Sequence, residues 1–122
     1  MKKILIVDDA LTVRLYHRQL METLGFEVGE AENGIEALER GLSEHFDLFL
    51  VDVNMPKMDG YRLVEAMRQE PSLAATPVIM ISTEESEQDR EKAYLSGANF
   101  YVVKPADVAE LQTYATLLAG GA

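Results

Sequence analysis

The chain lacks cysteine altogether and has no long apolar segment. Without cysteine it can form neither a disulfide framework nor a thiolate metal site, which is compatible with a reducing cytosol. No apolar run approaches the roughly 20 residues that span a bilayer. The basic and then apolar residues 1–7 resemble the start of a signal peptide, but Asp8 and Asp9 end the apolar run after four residues. We therefore expect a cytoplasmic protein without a membrane partner.

Basic residues are also scarce, with 11 Lys and Arg against 21 Asp and Glu and a formal net charge of −10. A field of this sign disfavours non-specific binding to nucleic acid or anionic lipid, so we expect no direct nucleic-acid partner. The length of 122 residues is close to the commonest domain size. We expect one domain over residues 1–122, whose last residues, 119–122, suit a tail or a linker equally well.

Five short segments have the apolar and β-branched content of strands, four of them as continuous runs and the second as an alternation. The predicted strands cover residues 3–7, 26–31, 48–51, 77–81 and 100–103. Helical spacing of apolar residues predicts a helix after each strand, although segment 85–97 has few apolar residues. The predicted helical positions are Val13, Tyr16, Leu20 and Leu24, then Ile35, Leu38 and Leu42, then Leu63, Val64 and Met67, and finally Val108, Leu111, Ala115 and Leu118. The predicted caps are Gly25, Asn33, Asp59 and Asp107.

Strict alternation of strands and helices predicts an α/β fold with a parallel sheet covered by helices on both faces. The strand order 2-1-3-4-5 is adopted from known flavodoxin-like proteins. In such sheets ligands bind beyond the carboxyl ends of the strands, where the strand order reverses. That point lies between the first and third strands in this order.

Polar side chains follow four of the predicted strands. Asp8 and Asp9 follow the first, Asp52 the third, Ser82 the fourth and Lys104 the fifth. Three clustered carboxylates repel one another and need counter-charges, of which Lys104 supplies one. A hard divalent cation such as Mg²⁺, which prefers oxygen ligands, would supply the rest. The sequence therefore predicts a Mg²⁺ site that contains a reactive carboxylate.

A carboxylate can attack phosphorus to give an acyl phosphate, and phosphoryl transfer depends mainly on positioning and charge neutralisation. Mg²⁺ on one side and Lys104 on the other would neutralise the phosphoryl oxygens, while Ser82 could hydrogen-bond a third oxygen. Each group alone has an ordinary interpretation as a turn, a cap, a strand end or a surface lysine. Because all of these groups occur together at four strand ends, a shared chemical role is the favoured interpretation.

In this order, Asp8-Asp9, Asp52, Ser82 and Lys104-Pro105 resemble the response-regulator receiver domains of two-component signalling, with chemotaxis-type single-domain receivers most similar. The resemblance extends over essentially the whole chain. It includes residues 51–60, which look like the phosphoacceptor segment of the family, and Gly97-Ala98 before the fifth strand. It implies a signalling switch that takes a phosphoryl group from a histidine kinase onto Asp52 and then acts on a downstream protein. Catalysis would be limited to its own phosphorylation and dephosphorylation.

The resemblance also implies roles for single residues. Asp9, Asp52 and the backbone carbonyl of Asn54 would bind Mg²⁺ directly, and Asp8 would act partly through water. The Lys104-Pro105 bond would be cis. The implied switch residues are Ser82 and Tyr101, and the residues implied to tune phosphate lifetime are Asn54 and Glu84. Phosphorylation would alter the face formed by the fourth helix, the fifth strand and the fifth helix.

Some interpretations stay open beside this one. Tyr101 also suits an ordinary core position, and His17 and His45, with no second ligand nearby in sequence, are expected to be packed or solvated. After Lys-Pro the family usually has an aromatic residue, where this chain has Ala106, and the difference would reshape the partner-binding face. Three rival functions would each require a different sequence feature. A haloacid-dehalogenase-type phosphatase would have a second acid at Asn54, a phosphate-independent module would lack an acid or the lysine, and a nucleotide-binding protein would have a Gly-rich loop after the first strand.

Overall fold

The computed structural model describes residues 1–120, which form one five-stranded parallel sheet in the order β2-β1-β3-β4-β5. The strands are β1 (Lys3–Val7), β2 (Glu27–Ala31), β3 (Leu48–Asp52), β4 (Val78–Ser82) and β5 (Phe100–Val103). The helices are α1 (Leu11–Thr23), α2 (Gly34–Ser43), α3 (Gly60–Gln69), α4 (Glu87–Ser96) and α5 (Val108–Ala119). The predicted fold class and strand order are confirmed. The tail-or-linker interpretation extends to Gly121 and Ala122, which lie outside the described residues.

The sheet separates two apolar cores because successive side chains of a strand point to opposite faces. On β1, for example, Leu5 and Val7 belong to one core, whereas Ile4 and Ile6 belong to the other. The first core is completed by α2, α3 and α4, and the second by α1 and α5. Both faces of the sheet are therefore buried, as a parallel sheet requires. Every helix within residues 1–120 is too short or too polar to span a bilayer.

Side-chain caps begin four of the five helices. The predicted caps Asn33, Asp59 and Asp107 accept hydrogen bonds from backbone N–H groups three residues later, and Ser86 does the same for α4. Each cap satisfies one of the free donors of a first turn. Gly25, which follows the last turn of α1, has a φ of 89°, a conformation that glycine adopts without strain.

The predicted helix α1 is present, but the apolar residues whose spacing predicts it do not form its buried face. The buried side chains are Arg14, His17 and Met21, whereas the expected Tyr16 is 45% exposed. Leu20 and Leu24 only flank the second core. An apolar periodicity cannot identify this face because two of its three buried positions are polar.

The predicted helix α2 is also present without burying the apolar residues that predict it, since Ile35 and Leu42 are exposed and only Leu38 packs partly against the core. The buried positions are small residues, including Gly41. A Cβ atom at Gly41 would lie 2.9 Å from the ring of Phe49, so this helix approaches the sheet too closely for a larger side chain.

The other helices agree better with the sequence. The predicted inward residues of α3 are all buried. In α5, Leu111 and Ala115 are buried and Leu118 packs partly against the core, whereas Val108 is 40% exposed. In α4 only Ala93 is buried, as its few apolar residues led us to expect.

Candidate functional site

The register of the sheet brings four strand ends to one edge. Val7 of β1 pairs with Val51 of β3, and Asp52 pairs with Ile81 of β4. Beyond the last pair of β4 and β5, the Lys104 N–H donates to the Ser82 carbonyl at 2.7 Å. The polar residues that follow the strands therefore reach the same edge of the sheet, where the strand order reverses.

Three carboxylates form a cluster at this edge. One oxygen each of Asp8, Asp9 and Asp52 lies within 4.8 Å of the others. Asp8 and Asp52 are buried, with 3% and 7% of their surfaces exposed, whereas Asp9 faces solvent. The cluster therefore combines two acids shielded from water with one that can meet an ion arriving from solvent.

Lys104 is the cationic partner of the two buried acids. Its Nζ lies 3.0 Å from Asp8 Oδ2 and 3.0 Å from Asp52 Oδ1. Burial disfavours the ammonium, but its hydrogen bonds to Asp8 and Asp52 outweigh burial and raise the pKa of Lys104. Burial raises the pKa of Asp52 to about 6, and the charges of Asp8 and Asp9 act in the same direction against the Lys104 contact. One lysine ammonium therefore does not balance the negative charge of the three carboxylates.

The cluster suits Mg²⁺ because it offers oxygen ligands only, and because its carboxylates outnumber its ammonium group. Asp8 already uses both oxygens within the protein. Oδ1 accepts the Ala10 N–H at 2.9 Å, and Oδ2 accepts Lys104. Asp9, by contrast, is exposed, as is Asn54 in the loop after Asp52. The residues present therefore fit a hard divalent cation.

Ser82 and Tyr101 lie in the interior near this edge. Ser82 is fully buried, and its Oγ accepts the Glu84 N–H at 3.1 Å. Tyr101 is 3% exposed, and its hydroxyl donates to the Glu84 carbonyl at 2.8 Å. Both side chains therefore hold the start of the loop between β4 and α4, whose Glu84 is itself exposed. The Arg90 guanidinium of α4 lies over the Tyr101 ring, 5.2 Å from its centroid.

Two backbone features complete the edge. The Lys104-Pro105 peptide bond is cis. Gly60, the first residue of α3, donates its N–H to the Val53 carbonyl at 2.8 Å, and a Cβ atom there would lie 2.6 Å from the Asp52 carbonyl oxygen. The start of α3 therefore packs directly on the backbone of Asp52, which only glycine permits.

Two residues of α1 are polar and buried; sequence reasoning missed Arg14 and left open whether His17 is packed or solvated. Arg14 is 7% exposed and donates to the Asp8 carbonyl through Nη1 at 2.7 Å. His17 is 3% exposed, and burial, with a smaller contribution from the Lys104 ammonium, lowers its pKa to about 4. The available signal was their spacing with Met21, which places all three on one helical face.

We expect the opposed pKa shifts of His17 and Asp52 to cancel in the acid stability of the metal-free protein. His17 binds a proton less readily when folded, so its contribution to stability is lost as pH falls from 6.5 to 4. Asp52 binds a proton more readily when folded, so its contribution grows as pH falls from 6 to 3.8. Each amounts to roughly 3 kcal/mol.

Urea unfolding across this pH range checks the cancellation. Relative to the parent, His17→Gln should gain stability on acidification and Asp52→Asn should lose it, so each variant is the control for the other. Parallel curves for all three proteins would show that neither group carries the shift described.

The sequence of the chain is similar to those of known proteins. The family model of the response regulator receiver domain matches residues 4–116. The chain is 40% identical over 103 residues to the transcriptional regulatory protein ResD of Bacillus subtilis, an alignment that covers 84% of this chain and 42% of ResD. It is 36% identical over 115 residues to the sensor protein EvgS of Escherichia coli, covering 94% of this chain and 9% of EvgS. The chain thus spans less than half the length of these curated relatives.

Solved structures give the same result. The chemotaxis protein CheY4 of Vibrio cholerae superposes with a TM-score of 0.90 at 33% identity, covering 97% of this chain and 98% of that one. The receiver domain of the sensor histidine kinase PA1611 of Pseudomonas aeruginosa, which has a magnesium ion coordinated in its active-site cleft, superposes with a TM-score of 0.90 at 28% identity, covering 98% of each chain. Family model, relatives and structures agree, and this chain belongs to the response regulator receiver domain family of two-component systems.

Proposed function

We propose that the chain is a phosphorylation-activated signalling switch in which Asp52 accepts a phosphoryl group from a histidine kinase. The observation that supports the proposal is the environment of the Asp52 carboxylate. It is buried beside two other acids, and the Lys104 ammonium lies 3.0 Å away. A cation-binding cluster around a shielded carboxylate is the environment that attack on phosphorus requires.

In the proposed transfer a carboxylate oxygen of Asp52 forms a bond to phosphorus while the bond from phosphorus to the donor nitrogen breaks. The donor histidine leaves with the electron pair of that bond and takes up a proton. Lys104, held between Asp8 and Asp52, neutralises a phosphoryl oxygen, and Ser82 hydrogen-bonds another. Bound Mg²⁺ would supply further charge neutralisation at the phosphoryl oxygens.

The proposed Mg²⁺ ligands are Asp9, Asp52 and the backbone carbonyl of Asn54, with Asp8 acting partly through water. The engagement of both Asp8 oxygens by Ala10 and Lys104 supports the indirect role of Asp8.

Ser82 and Tyr101 are the proposed switch residues. Both contact the backbone of Glu84, so a change at the phosphorylated Asp52 that moves Ser82 reaches the loop before α4. The weak core contribution of α4 supports a response there, since weakly packed elements move readily. The output is a changed α4, β5 and α5 face that controls a downstream protein. Asn54 and Glu84, both exposed beside the site, are proposed to tune the lifetime of the phosphate.

Residues 1–122 constitute one receiver domain, which catalyses no reaction beyond its own phosphorylation and dephosphorylation. It works in the cytoplasm, without direct contact to nucleic acid or membrane. The net charge of −10 supports the last point.

Removal of Mg²⁺ tests the proposal. With acetyl phosphate as donor, intact-mass measurement should show one added phosphoryl group in the presence of Mg²⁺ and none after chelation. The reason is that the carboxylates would otherwise repel the incoming phosphate. Ca²⁺ at equal ionic strength controls for charge screening. Equal phosphorylation in chelator and in Mg²⁺ would rule out the proposed chemistry.

A further inference from the structure

Arg14 connects the acidic cluster to the sheet through a set of contacts that the proposed transfer does not use. Its Nη1 donates to the Asp8 carbonyl at 2.7 Å, and its Nε pairs with Glu30 Oε1 of β2 at 2.9 Å. Glu30 also pairs with Arg18, one turn further along α1. One planar guanidinium therefore links the peptide between Asp8 and Asp9 to a carboxylate fixed in the sheet.

Packing does not explain an arginine at this position. It is a buried charge in the first turn of α1, where the helix dipole disfavours a cation. A buried ion pair adds little stability over a well-packed apolar side chain of similar volume. An apolar residue at position 14 would also extend the buried face that contains Met21. An apolar side chain, however, cannot donate a hydrogen bond to the Asp8 carbonyl.

The Asp8 carbonyl belongs to the peptide bond that leads to Asp9, and few other hydrogen bonds hold the turn around it. The N-cap of α1 is Ala10, whose side chain makes no capping hydrogen bond. The Asp8 N–H donates to the Ala31 carbonyl at 3.1 Å, and the Ala10 N–H donates to Asp8 Oδ1. Arg14 supplies the contact to the carbonyl side of the same peptide and so fixes the direction in which the chain continues to Asp9.

We propose that Arg14 is a positioning residue that holds Asp8 and Asp9 in place to bind Mg²⁺, an inference that rests on the proposed function. Residues that orient metal ligands through hydrogen bonds typically change metal affinity by 10–100-fold when replaced. The same arginine also places a positive charge beside the acidic cluster. A role through charge alone and a role through position therefore predict effects of opposite sign.

The test is Mg²⁺ binding to the unphosphorylated full chain, measured by calorimetry on Arg14→Met and Arg14→Lys. If Arg14 positions Asp8 and Asp9, both variants should bind Mg²⁺ about tenfold more weakly. Methionine cannot donate a hydrogen bond, and lysine keeps the charge but cannot bridge the Asp8 carbonyl and Glu30 together. Arg18→Met is the matched control, since it removes a positive charge and an ion pair to Glu30 from the same helix without touching Asp8. Its affinity should stay within about twofold of the parent.

Two further readouts separate positioning from stability. Arg14→Met should lose some stability in urea unfolding, because Glu30 and the Asp8 carbonyl lose a partner, but it should remain fully folded in water, so that unfolding cannot account for the tenfold loss of affinity. Amide exchange at Ala10 should become faster in both Arg14 variants, since its hydrogen bond depends on the same turn. If Arg14→Met does not fold, Arg14→Lys decides the question by the same two measurements.

Unchanged or tighter Mg²⁺ binding by the Arg14 variants would overturn the inference and leave the proposed function intact. Failure of the parent protein to bind Mg²⁺ would instead sink the proposed function, and exchange at Ala10 would still report whether Arg14 holds the turn.

Discussion

Asp52→Asn should abolish phosphorylation of the chain under conditions that phosphorylate the parent completely. The substitution replaces the nucleophilic carboxylate by an amide of nearly the same shape, so the carbonyl of residue 52 and its packing on Gly60 stay in place. A neutral amide is a poor nucleophile towards phosphorus and a weaker ligand for Mg²⁺. Both effects act in the same direction, and intact-mass measurement after incubation with acetyl phosphate and Mg²⁺ should show no added phosphoryl group.

The matched control is Asp59→Asn, in the same loop. Asp59 accepts the Arg62 N–H as the cap of α3 and is not one of the clustered acids. An asparagine at a cap retains an acceptor oxygen, so this variant should be phosphorylated as the parent is. Asp52→Asn should also fold at least as stably at neutral pH, because burial raises the pKa of Asp52 and its ionised form is costly. Equal labelling of Asp52→Asn and the parent would disprove the assignment of the phosphoacceptor.

The fold and the placement of the candidate site were predictable because both depend on strands. A buried parallel strand is a short apolar run, and the polar residue after it is plain in the sequence, as Asp52 shows after Leu48–Val51. Once the runs are ordered into a sheet, their carboxyl ends must meet. The meeting of Asp8, Asp52 and Lys104 follows from this rule once the strand order is adopted from flavodoxin-like proteins, and it needs no knowledge of side-chain packing.

The helix faces were less predictable because exposure there does not follow hydrophobicity. The buried residues of α2 are Gly34, Ala37 and Gly41. The helix lies close to the sheet at Gly41, and the larger apolar residues Ile35 and Leu42 point outward. In α1 the buried Arg14 is stabilised by a carbonyl and a carboxylate from distant parts of the chain. No local pattern records such partners, so the residues that support the site were harder to predict than those that form it.

Lys104→Met should cost about 3 kcal/mol of stability at neutral pH in the absence of metal, the second large effect that we expect. Lys104 is the hydrogen-bonded counter-charge of both Asp8 and Asp52, and both acids are buried. Removing one partner of a buried pair leaves a charge uncompensated, which typically costs 3–5 kcal/mol, and partial access of solvent to Lys104 favours the lower end. Phosphorylation should also slow by about a hundredfold, because a donor to the developing phosphoryl charge is lost.

The origin of this cost can be tested because each way of removing the stranded charge should restore stability. Saturating Mg²⁺ should recover most of the loss by neutralising the acids, and so should acidification below pH 6, where Asp52 protonates. In an Asp52→Asn background the same lysine substitution should cost less than half as much, since only Asp8 is then left uncompensated. Lys3→Met is the control, since Lys3 pairs with Glu44 at the surface and should cost under about 1 kcal/mol. If the loss in Lys104→Met is the same with and without Mg²⁺, at both pH values and in both backgrounds, then Lys104 stabilises the protein by packing and not as the counter-charge of the cluster.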